Sequence, residues 1–88
     1  MSENLVFKTE QEKKIAAQVI SILAKQLERD EQAINPAVSF TELGADELDS
    51  IEMIMRFEEQ FGLEIHDEDA EQLTSVFAVT QYVAARCA

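Results

Sequence analysis

Only three residues in this 88-residue chain, Pro36, Gly44 and Gly62, interrupt regular backbone structure. A chain of many short strands needs a turn every few residues and draws on Gly and Pro to make it. With so few breakers the chain reads as helical. The breakers mark where its connections fall.

Between them the apolar residues recur at helical spacing. Ile15, Ala16, Val19, Ile22, Leu23 and Leu27 predict an amphipathic helix of about five turns over residues 9–28. Thr9 followed by Glu12 matches a capping box at its start. Residues 30–45 form a long connection. Asn35-Pro36 signals a turn within it, and Ile34, Val38, Phe40 and Leu43 are expected to fold back over the core. Asp46 is the expected N-cap of a second helix over residues 48–61, with Glu47 and Asp49 in its first turn and Gly62 as its C-cap. A brief third helix is expected from Asp67 to near Leu73. A fourth is capped by Thr74 or Ser75, with Val76, Val79, Tyr82 and Val83 facing inward and Arg86 at its C-terminal end. The fold class is therefore all-α: four helices, the third short, with a long first loop. Length allows a single domain over residues 1–88, with residues 1–6 as a loose tail.

Charge excludes several functions. Residues 1–40 carry a net charge of −1, and residues 41–88 a net charge of −10. So acidic a half repels nucleic acid and anionic membranes and attracts basic partner surfaces. No apolar run approaches the roughly 20 residues of a bilayer span, and no signal peptide pattern opens the chain. We read it as a cytoplasmic monomer without stable membrane insertion. The single cysteine, Cys87, cannot form an internal disulfide. His66 is the only histidine and has no second His or Cys with which to ligate a metal. No phosphate loop, calcium loop or catalytic constellation is present, so the chain is not expected to be an enzyme.

The second helix has one apolar face too many. Met53, Ile54, Phe57 and Phe61 form an inward stripe, while Leu48, Ile51 and Met55 lie on another side beside Glu52, Glu58 and Glu59. Either both faces are buried, or the second is an acid-flanked docking strip.

The segment Leu43-Gly44-Ala45-Asp46-Glu47-Leu48-Asp49-Ser50-Ile51-Glu52 resembles the acyl carrier protein family. So do residues 55–61, Glu64-Ile65, residues 67–76 and Tyr82-Val83. The resemblance implies a four-helix bundle with 4′-phosphopantetheine on a serine at the start of helix two, inside an Asp-Ser-Leu triplet. It also implies docking of basic enzymes of acyl metabolism on that helix, through Asp46, Leu48, Asp49, Ile51, Glu52, Met55, Glu58 and Glu59. The triplet here reads Asp46-Glu47-Leu48. Glu47 stands at the attachment position, and a carboxylate cannot carry the group through a phosphodiester. Asp49-Ser50-Ile51 resembles the triplet one turn later, about 60° around the helix, which makes Ser50 the candidate attachment residue if one is used. His66 departs from the family's common proline.

Three functions follow as expectations. The first is a binding module of fatty-acid, lipid or polyketide metabolism without a prosthetic group at the usual site. The second is a working carrier modified on Ser50. The third is an acidic interaction protein unrelated to lipid metabolism.

Overall fold

Four α-helices and one 3₁₀ turn account for the regular structure of the computed structural model, which describes residues 7–86. Cys87 and the tail expected over residues 1–6 lie outside them. Helix α1 (Glu10–Leu27) begins at Thr9, whose hydroxyl accepts from the Glu12 N–H at 3.0 Å. Glu12 in turn accepts from the N–H of Lys8 rather than from that of Thr9, so the expected box is displaced by one residue. The helix ends on Glu28 in the left-handed region (φ 55°), a conformation rare for a residue with a Cβ. Sequence pattern gave no sign of it.

The long connection contains a 3₁₀ turn (Glu31–Ala33) that apolar spacing did not predict, because none of its residues is buried. Asp30 starts it by accepting from the Gln32 N–H. The rest of the connection covers the core as expected. Ile34, Phe40, Leu43 and Ala45 are buried, and Val38 packs against them.

Helix α2 (Glu47–Phe61) has a reciprocal cap. Asp46 accepts from the Asp49 N–H at 2.8 Å, and Asp49 accepts from the Asp46 N–H at 3.1 Å. Gly62 closes it at φ 66°, where glycine has no Cβ to strain. Phe61 is only half-buried, at the edge of the expected inward stripe. Helix α3 (Asp67–Ala70) stops short of Leu73. The chain tightens there through Gln72 N–H to Asp69 and Leu73 N–H to Ala70 bonds. It turns Leu73 into the core at 5% exposure and then pairs Thr74 O with the Phe40 N–H. Helix α4 (Val76–Arg86) starts at Ser75, whose hydroxyl accepts from the Ala78 N–H.

Helix α1 packs against both α2 and α4. Val19, Leu23, Met53, Phe57, Val76, Val79 and Val83 are almost wholly buried at the centre of that packing. The Cα radius of gyration, 12.0 Å, is what a well-packed chain of this length requires. Residues Phe7 and Phe77 stack with ring centroids 5.7 Å apart, which seats the start of the described chain on α4. No helix among the described residues is long and apolar enough to cross a membrane.

Candidate functional site

The second apolar face of α2 is not buried. Leu48, Ile51 and Met55 are 62%, 55% and 56% exposed, while Met53 and Phe57 on the opposite side are buried. At 3.6 residues per turn these three form one strip, about two turns long, with Glu47 and Glu58 along one flank and Glu52 and Glu59 along the other.

The acids beside the strip are not equivalent. Helix α1 reaches across through Gln26, whose amide donates to Asp49 at 3.0 Å and to Glu52 at 2.7 Å. The Gln26 carbonyl accepts from Arg56 at 3.1 Å. The Gln26 bond, with a backbone bond from Asp46, holds the Asp49 carboxyl below its ordinary value of 3.8. On the other flank, Glu58 is half-buried and accepts from the Ile65 N–H at 2.8 Å, fastening the loop after α2. Asp46 serves the cap. Glu47 and Glu59 remain exposed, and neither carboxylate takes part in a hydrogen bond or ion pair within the described residues.

A groove of about 770 Å³ opens beside the strip, between α2, α3 and the end of the long connection. Phe40, Ile54, Phe57, Ile65, Ala70 and Leu73 form its apolar walls. Ile51 and Met55 belong both to its rim and to the exposed strip. Its polar lining residues include Ser39, Thr41, Ser50, Thr74, Asp67 and Glu71. Helix α3, which forms one wall, is tied to α4: the Tyr82 hydroxyl donates to Asp69 at 2.8 Å, and Arg86 lies over the Tyr82 ring at 3.6 Å. Burial, reinforced by the Asp69 carboxylate, raises the Tyr82 phenol above its usual 10.0.

Ser50 does not share the exposure of Glu47. It is half-buried and lines the groove. Its hydroxyl donates to the Asp46 carbonyl at 3.2 Å, and its N–H donates to the same oxygen at 3.0 Å. His66 is exposed and precedes α3 without a side-chain cap. The features that apolar spacing missed are Gln26 and the groove itself, since both depend on which elements meet.

Comparison with known proteins agrees with this architecture. The family model described as "Phosphopantetheine attachment site" matches residues 17–83. An acyl carrier protein of Cyanidioschyzon merolae (strain NIES-3377 / 10D) is 44% identical over 73 residues, which cover 82% of this chain and 80% of that relative. The chain belongs to the acyl carrier protein family. Its four helices without a strand among the described residues are the all-α fold expected from the resemblance. Members of this family are carriers rather than catalysts, and the chain is a carrier-type module of that family.

Proposed function

We propose that this chain is an acyl carrier protein-family module of fatty-acid, lipid or polyketide metabolism. It docks basic-surfaced partner enzymes through α2 and holds no prosthetic arm at residue 47. The observation that carries this reading is the strip Leu48, Ile51 and Met55. It lies open to solvent, with acids on both flanks, immediately after the helix start. An apolar strip left exposed on a small bundle marks a binding surface. Flanking carboxylates select a basic partner and speed the encounter.

The residues at the helix start do not fit 4′-phosphopantetheine. Glu47 has no hydroxyl to form the ester. Ser50 has one, but it is half-buried and engaged with the Asp46 carbonyl. Its backbone N–H is also committed, so a phosphate there would gain nothing from the free N–H groups of the first turn. Asp46, Glu47 and Asp49 would repel it as well. The Asp46 and Asp49 carboxylates already supply the negative charge that the helix start favours.

Intact-protein mass spectrometry tests this. The chain is incubated with coenzyme A and a broad-specificity phosphopantetheinyl transferase, beside a normal acyl carrier protein. No mass gain here, with full modification of the control, is the expected result. A gain of one phosphopantetheine mapped to Ser50 would instead make the chain a carrier with a shifted site and overturn the reading of a module without a prosthetic group.

A further inference from the structure

We propose that a notch between α1 and α2, on the other side of the strip from the apolar groove, is a separate binding site for a phosphate group, free or at the end of a small phosphate ester. The inference goes beyond the docking reading and does not rest on it.

The notch encloses about 340 Å³, within the range of small-ligand sites. Gln18, Ser21 and Lys25 line it from α1, and Arg56 and Gln60 from α2. Spacings of three or four residues put each set on one face of its helix. Ile22, packed against the core, is the one apolar lining residue. A concavity so polar suits a charged ligand.

The sign of that charge follows from Arg56. Residues 41–88 contain two basic side chains, Arg56 and Arg86. Arg86 is paired with Asp69 at 3.8 Å. Arg56 forms no ion pair among the described residues, although Glu52 lies four residues before it and Glu59 three after, both at pairing positions on a helix. Gln26 accounts for this. Its amide donates to Glu52 at 2.7 Å, and its carbonyl accepts from Arg56 Nε at 3.1 Å. The two terminal guanidinium nitrogens make no hydrogen bond among the described residues, and neither does the Lys25 ammonium. Lys25 suits the C-terminal turn of α1 through the helix dipole, but that reason does not extend to Arg56. A guanidinium fork and an ammonium on facing helices, with hydroxyl and amide donors beside them, match an oxyanion with several free oxygens.

The surroundings limit the ligand to a small one. Glu59 also lines the notch, and Glu52 and Asp49 lie one and two turns before Arg56 on α2. An acidic segment of another protein would meet all three carboxylates. A small anion reaches both cations and meets Glu59 alone. Binding against that one carboxylate is modest, with a Kd of about 1 mM.

The test is a titration of the full chain, followed by its amide resonances at constant ionic strength. At about pH 7.5 a phosphate monoester is close to doubly charged. Inorganic phosphate and ethyl phosphate are the probes, with acetate and a hexaglutamate peptide as comparisons. We expect saturable shifts at Ser21, Lys25, Arg56 and Gln60 with both phosphates, and about fivefold weaker binding of acetate and of the peptide. Tighter binding of ethyl phosphate would show that the notch also holds the group the phosphate carries. Equal affinities would make phosphate itself the ligand.

Lys25→Gln and Arg56→Gln should each weaken phosphate by about tenfold. Lys14→Gln removes the same charge from α1 outside the notch and should weaken it by less than about twofold. Glu59→Gln should tighten binding by about threefold. Circular dichroism checks that each variant folds. Shifts that do not saturate by about 20 mM, or equal losses from Lys14→Gln and Lys25→Gln, would reduce the effect to screening of a charged surface and overturn the site. Hexaglutamate binding as tightly as ethyl phosphate would assign the notch to an acidic protein segment, and the inference would be wrong.

Discussion

The two apolar faces of α2 are built from the same kinds of residue and end in opposite environments. Met53 and Phe57 are 1% and 0% exposed, and Leu48, Ile51 and Met55 are all more than half exposed. Side-chain chemistry does not separate them, since a methionine lies on each face. What separates them is position around the helix. Helices α1 and α4 and the long connection supply apolar partners on one side only, and the acids flank the other. The buried face serves stability. The exposed face serves recognition, in the reading proposed here, and costs stability nothing that a polar residue would restore.

Substitution on each face sharpens this difference. Phe57→Ala empties a fully packed site and should cost about 3–5 kcal/mol in urea denaturation, a large share of a small domain's stability. Leu48→Ala should stay within about 0.5 kcal/mol of the parent. Equal losses at the two positions would mean the strip is covered in solution. Next in size, Asp46→Ala removes the side-chain half of the α2 cap and should cost about 1 kcal/mol, read as a lower urea midpoint at unchanged slope.

A smaller effect, of opposite sign, is expected inside the core. The Thr80 hydroxyl is buried and has no hydrogen-bond partner among the described residues. Thr80→Val should therefore stabilise by up to about 1 kcal/mol, seen as a higher thermal midpoint. A loss instead would mean that the hydroxyl finds an acceptor in solution.

The smallest effect concerns pH. The Asp49 carboxyl is depressed in the folded state, so the unfolded chain binds the proton more readily. The stabilisation is complete above the unfolded value near 3.8 and is lost as pH falls through the lowered folded value. Gln26→Leu removes the main cause of that depression. It should make stability fall less steeply than in the parent as pH drops below about 4. Parallel slopes would show that Gln26 does not hold Asp49 in solution.

Much of the fold was legible because it is written locally. The bounds of α1 and α2 follow from Thr9, Asp46 and Gly62, whose side chains or lack of one act within a few residues. The buried residues of α1 follow from a 3.6-residue repeat. Helix α3 was read about three residues too long, because Leu73 looks like part of its pattern. Contact with the core, together with the Phe40–Thr74 backbone pairing, ends the helix early. The left-handed Glu28 had no local signal either. At the candidate site, Leu48, Ile51 and Met55 were visible as an extra apolar face, but their exposure was not.

The sequence alone determined the helical class, the uneven charge, the family resemblance and the carboxylate at residue 47, since each depends only on residue identity and spacing. The tertiary structure decided which face of α2 meets water, that Ser50 turns to the groove, and that Gln26 and the Ile65 N–H engage three of the acids beside the strip. Those outcomes depend on which elements pack against α2 and from which side, and no periodicity along one segment encodes where another segment will lie.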